Sequence, residues 1–112
     1  MKKRVADIVI ESLIEYGITD CFAVVGGGAM HLDNALGLNK NMYVVFQHHE
    51  QACSIAAEGY AKISGNMAEV CVTSGPGATN ALTGVMGAWV DSVPMFIRSG
   101  QMRYELSVAK TG

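Results

Sequence analysis

The apolar positions of this chain fall into longer amphipathic blocks separated by short continuous runs, a pattern that predicts helices alternating with buried strands. Between Lys3 and Tyr16, Val5, Ile8, Val9 and Leu13 recur at helical spacing, with Lys2, Lys3, Asp7, Glu11 and Glu15 mostly on the other side. Gly17 can supply the left-handed residue that stops such a helix. Cys21 to Val25 is a continuous apolar run, as expected of a strand covered on both faces, and it leads straight into Gly26-Gly27-Gly28. Ala29 to Leu38 reads as a second helix with Met30, Leu32, Ala35 and Leu36 inward. Met42 to Phe46 is a second strand, ending in Gln47-His48-His49-Glu50. An alanine-rich helix follows to about Ile63, made slim by Ala52, Ala56, Ala57 and Ala61, and Gly65-Asn66 marks a turn. Glu69 to Thr73 is a third strand, opening into Ser74-Gly75-Pro76-Gly77-Ala78-Thr79-Asn80 and a helix to about Asp91. Pro76 suits the first helical position, where its missing N–H costs nothing. Met95 to Ile97 is a fourth strand ending at Ser99-Gly100, and Gln101 to Gly112 shows no pattern. Met30, Met86 and Met95 are expected in the core, and Trp89 in the core or at a subunit contact.

Strands alternating with helices imply a parallel sheet, because parallel neighbours need crossover connections. The loops after the first three strands must then share one edge, where α/β sheets bind ligands. Gly26-Gly27-Gly28 is either an ordinary turn or a place where a ligand approaches the backbone closely. Glu50, at a strand-to-helix junction, either complements the helix dipole or acts chemically as the one obvious proton acceptor on that edge. Thr73 and Asn80 offer directional hydrogen bonds. Gly75-Pro76-Gly77 before a helix could cradle a phosphate, but neither a Walker lysine nor a complete GxGxxG follows a strand. His48, His49 and Glu50 are adjacent, so they point apart and make a poor metal site; the histidines are expected to line the crevice or to satisfy helix-start donors. His31 reads as a surface or interface residue.

Composition narrows the classes. The 112 residues are 50% hydrophobic and 16% charged, with net charge −2. That is one domain, with more apolar surface than so short a chain closes by itself, so self-association into a homo-oligomer is expected. No basic run exists to bind nucleic acid. No apolar run is long enough for a membrane span, and Lys2-Lys3-Arg4 precedes no signal-peptide core, which points to the cytoplasm. Cys21, Cys53 and Cys71 lack CxxC spacing and read as buried free thiols. A domain of this pattern is expected to have more than four strands. The chain is therefore expected to be the N-terminal piece of a larger protein, incomplete at its C-terminal end, or one chain of a split enzyme.

The runs HHEQACSIAAEGYAKISG and VCVTSGPGATNALTGVMGAWVDSVPMFIRSGQ resemble the pyrimidine-binding domain of thiamine-diphosphate-dependent enzymes, most nearly the acetolactate synthase and pyruvate oxidase group. The similarity extends from Val5 to about Met102. It implies a truncated three-layer, parallel-sheet, flavodoxin-like α/β domain. Glu50 matches the family's catalytic glutamate, which hydrogen-bonds N1′ of the aminopyrimidine and favours the imino tautomer that generates the C2 ylide. Pro76 and Asn80 match positions that pack on or hydrogen-bond the pyrimidine, Thr73 is a further candidate there, and Gly26 and Gly27 match the loop facing the reacting centre. Desolvation of Glu50 is expected to raise its pKa toward neutrality. The implied substrate is a 2-keto acid, decarboxylated with transfer or oxidation of the acyl unit. The diphosphate and Mg²⁺ would be held by a second domain, of the parent or of a partner chain, whose Gly-Asp-Gly segment has no match here. The chain alone is thus expected to be inactive. Val25 stands where the family usually has proline, and His48 where acetolactate synthases commonly have arginine, which leaves the substrate open, as is any FAD. Two alternatives remain: a non-catalytic interaction module on the same fold, and a flavin- or nucleotide-binding domain of flavodoxin type.

Overall fold

Four short strands and the helices between them account for most of the chain in the computed structural model, which describes residues 2–112. In chain order these are α1 (Val5–Glu15), β1 (Asp20–Ala23), α2 (Met30–Leu38), β2 (Tyr43–Phe46), α3 (Glu50–Ser64), β3 (Glu69–Val72), α4 (Pro76–Val90), β4 (Phe96–Ser99) and α5 (Val108–Thr111). The sheet is parallel throughout, in the order β2-β1-β3-β4. Ala23 is level with Phe46 on one side and Cys71 on the other, so the carboxyl ends of β1, β2 and β3 come to one edge. From β1 the chain first winds outward to β2 and then returns to place β3 on the opposite side. Such a reversal opens a crevice between the loops leaving the two central strands.

Two helical layers cover the sheet. Ala6, Ile10 and Leu13 of α1 pack with Ala35 and Leu36 of α2 over Cys21, Ala23 and Cys71. Their i, i+4, i+7 spacing turns one stripe of α1 inward. On the other face, Cys53 and Ala57 of α3 and Ala81 of α4 pack over Val70 and Val72. Here the fit is close: a β-carbon at Gly84 would overlap the Ser54 side chain and lie 2.8 Å from the Ile55 amide nitrogen. Gly17 closes α1 and Gly65 closes α3, both with positive φ, as a left-handed stop requires. Pro76 is at the first turn of α4. All three cysteines are free and buried.

The strand β3 is buried along its whole length, including the carboxylate of Glu69, which meets the Arg98 guanidinium from β4. Burial pushes the Glu69 carboxyl up, with Arg98 pulling against it. Charges at such depth persist only in pairs.

Several expectations are corrected. Val5 and Ile8 are exposed, and Ala6 and Ile10 take the inner side of α1 with Leu13. Both stripes are apolar at helical spacing, and contact with α2 selects the one containing Ile10. Met30, the first residue of α2 directly after a 3₁₀ turn at Gly27–Ala29, is 59% exposed and not inward. Met86 is exposed, not core, since glycine and alanine occupy the inner face of α4, and Trp89 is exposed too, which leaves only the subunit-contact alternative for it; Met95 is half-buried against the α3–α4 core. The first strand ends at Ala23, and β4 begins one residue later than expected and continues to Ser99. Within Gln101 to Gly112, a 3₁₀ turn at Tyr104–Leu106 precedes α5. Among the described residues, no helix is long and apolar enough to cross a membrane.

Candidate functional site

Level strand ends bring the three loops together as the topology requires. The glycine loop lies directly on the segment leaving β3. A β-carbon at Gly26 would overlap Thr73, and one at Gly28 would come within 2.9 Å of the Thr73 and Ser74 hydroxyls, so this approach requires glycine at both positions. Two side chains hold the loop there. The Gly26 N–H donates to Asp33 Oδ2 at 3.1 Å, and the Gly28 N–H donates to Thr73 Oγ1 at 3.1 Å. Gly27, between them, has open space where a side chain would be.

Helix α3 starts at Glu50, with His49 as its cap: His49 Nδ1 accepts from the Gln51 N–H at 3.1 Å. This is the helix-start role expected of the histidines; His48 is exposed. Across the gap between helices, Asn80 Nδ2 donates to Glu50 Oε2 at 3.1 Å. The ground beneath is cleared by Gly77, where a β-carbon would stand 2.8 Å from Thr73 Cγ2 and 3.5 Å from Glu50 Oε1. The structure thus gathers Glu50, Thr73, Gly77 and Asn80 around one floor. It joins Gly26 to them through Thr73, and leaves Gly27 exposed on the glycine loop and Pro76 exposed at the start of α4.

The electrostatics of Glu50 reverse the expectation from sequence. The Asn80 hydrogen bond, followed by the helix-start amide of Glu50 itself, holds the carboxyl below its usual range, against a small opposing effect of burial. Glu50 stays largely in contact with water in this chain, so the desolvation that would raise it does not develop. Among the described residues, no group of three or more His, Cys, Asp or Glu is placed to hold a metal ion.

Sequence reasoning missed two participants. Asp33 belongs to the first turn of α2, and its signal was an acid at the start of the helix that follows a glycine loop. Gly77 was noticed only as part of a turn, whereas its place is under Glu50.

A carboxylate, an amide and glycine-exposed backbone on one strand-end edge make a surface for a flat polar ligand. Residues 3–111 match the family model described as "Thiamine pyrophosphate enzyme, N-terminal TPP binding domain". The chain belongs to this family. As a thiamine pyrophosphate enzyme N-terminal domain, it is 44% identical over 101 residues to the acetolactate synthase large subunit of Buchnera aphidicola subsp. Schizaphis graminum, a match covering 90% of this chain and 18% of that protein. It is 41% identical over 101 residues to acetolactate synthase isozyme 3 large subunit of Escherichia coli K12, with the same coverage of 90% and 18%. Its fold superposes with TM-score 0.86 and 25% identity on the X-ray structure of a Mycobacterium smegmatis protein assigned as a thiamin diphosphate-dependent enzyme, over 96% of this chain and 20% of that one. The domain therefore spans about a fifth of the length of these relatives.

Proposed function

We propose that this domain is the pyrimidine-binding half of a thiamine-diphosphate-dependent, acetolactate-synthase-like enzyme acting on a 2-keto acid. The observation that carries the proposal is the Glu50–Asn80 pair above Gly77, at the edge where the loops of β1 and β3 diverge. A ring bearing hydrogen-bond donors fits that floor: Glu50 would accept from it, Asn80 and Thr73 would bond its edge, Pro76 would pack against it, and Gly26 and Gly27 would face the reacting atoms. When bound, thiamine diphosphate supplies the nucleophilic carbon that attacks the keto acid. The work of Glu50 is to hold and release a proton at the ring nitrogen. It enters the encounter as an ionised acceptor, and a second wall that expels water would strengthen its hydrogen bond and raise its proton affinity.

We assign that second wall, with the diphosphate and its Mg²⁺, to a further domain of a longer cytoplasmic protein or to a partner chain. The domain by itself is expected to leave a 2-keto acid unchanged. We also infer self-association, supported by the exposed Ile55, Ile63, Leu82, Met86, Trp89 and Val90 on α3 and α4. Large apolar side chains exposed on two neighbouring helices are what a contact face would be made from.

Glu50→Gln in the complete enzyme tests the reading. The expected result is a fall in kcat with thiamine diphosphate and a 2-keto acid of about 10²–10⁴-fold, the range for loss of a general acid–base group. Turnover equal to wild type would leave the domain as a non-catalytic interaction module.

A further inference from the structure

The contact between Asn80 and Glu50 divides the carboxylate into two unlike oxygens. Oε2 is tied to Asn80 Nδ2 at 3.1 Å, while Oε1 lies on the Gly77 side, 3.5 Å from where a β-carbon of that residue would be. The bond runs between helices α3 and α4, thirty residues apart in the chain, so neither helix fixes the Glu50 side chain alone. The assignment of the amide follows from chemistry: an ionised carboxylate has only acceptors, so Asn80 must turn its NH₂ to it and not its carbonyl. Hydrogen bonds with an ionised partner are also the stronger class.

We propose that Asn80 is a positioning residue which pins one oxygen of Glu50 and leaves the oxygen above Gly77 to meet the ligand. In this role Asn80 acts through Glu50, in addition to any bond of its own to the ring. Gly77 is the neighbouring element: it is buried, a β-carbon there would press on Thr73 Cγ2 at 2.8 Å, and it would meet Oε1 only at an ordinary contact distance of 3.5 Å. The same bond is the largest influence holding the Glu50 carboxyl below its usual range. The ligand's identity rests on the function proposed above; the pinning is a property of the unliganded chain.

The test is a carboxyl ¹³C NMR titration of the full 112-residue chain labelled at glutamate, with Glu50→Gln to identify the Glu50 signal. In the unaltered chain, Glu50 is expected to titrate below the ordinary 4.5, with the Asn80 hydrogen bond as the main cause. Asn80→Ala is expected to move the midpoint up, and Asn80→Asp, equal in size but lacking the donor and adding negative charge, to move it further. Backbone amide spectra check that both variants are folded. The linkage has a definite sign. A depressed carboxyl stabilises the fold above its unfolded value of about 4.5 and loses that contribution as pH falls through the lower folded value. Both variants should therefore shrink that contribution and narrow the pH window over which it is lost. A Glu50 midpoint unmoved by both substitutions, or one at the ordinary value in the unaltered chain, overturns the proposal. If the midpoints move as expected while Glu50→Gln leaves the complete enzyme active, the pinning stands and the assigned ligand falls.

Discussion

On one face of the sheet, α1 and α2 bury Ile10, Leu13 and Leu36; on the other, α3 and α4 bury Ala57, Ala61, Ala81 and Ala88. Their outer surfaces differ in the opposite sense. Around α1, Lys3 pairs with Glu11 and Arg4 with Asp7 beside the smaller exposed Val5 and Ile8. Around α3 and α4, Ile55, Leu82, Met86 and Trp89 point outward, Trp89 with 81% of its surface exposed. Large residues inside make a layer filled by its own side chains, with paired charges set among exposed apolar residues such as Val5 and Ile8 on its outer side. Small residues inside let α3 and α4 lie close to each other and to the sheet, and the large residues stay outside, on the face to which we assign self-association. The candidate site belongs to this second layer, since Glu50 begins α3 and Asn80 lies on α4.

Three substitutions separate the layers, the first with the largest effect. Leu36→Ala empties a fully buried position between α1 and α2, and chemical denaturation should show a loss of about 2–5 kcal/mol. The α1–α2 layer would not be held by its own side chains if the loss were negligible. Gly84→Ala acts by the reverse mechanism, forcing a methyl against Ser54 and the α3 backbone. Overpacking of this kind should cost about 1–3 kcal/mol, although alanine is the better helix former. A stabilised Gly84→Ala would mean that α3 and α4 are not in close contact. Trp89→Glu should leave stability within about 0.5 kcal/mol, as for a surface position, and yet abolish self-association in light scattering. An unaltered chain that stays monomeric at high concentration would remove the distinction between the two outer faces.

Much of this was legible in the sequence. The order of elements followed from apolar blocks and their punctuation by Gly17, Gly65 and Pro76, residues whose backbone preferences act locally. The shared edge of the three loops followed from strand direction alone, which is why Glu50, Thr73 and Asn80 could be named together before any contact was known. What failed was orientation. The chain offers two apolar stripes on α1 and an apolar residue at nearly every turn of α4, and periodicity cannot choose between faces when both are hydrophobic. The choice is made by long-range contact: α2 selects Ile10, and α3 selects Gly77, Ala81, Gly84 and Ala88. The proton affinity of Glu50 was misjudged for a related reason. Its environment depends on what covers the crevice, and a first-turn position says nothing of that. Asp33 was overlooked because its hydrogen bond to the Gly26 amide depends on how the 3₁₀ turn brings α2 back over the loop.

The free cysteines give the fold a use of a different kind. Cys21 and Cys71 lie in the core beneath α1 and α2, and Cys53 lies in the core beneath α3. Burial pushes Cys53 up to about 11 and Cys71 to about 12, with Cys21 raised by the same cause. A thiol reacts with alkylating agents as its thiolate, so none of the three is open to reagent while its layer stays closed. The chain thereby carries its own chemical clocks, one pair on one side of the sheet and one on the other. The relative alkylation of Cys53 against Cys21 and Cys71 reads out, residue by residue, which side opens first.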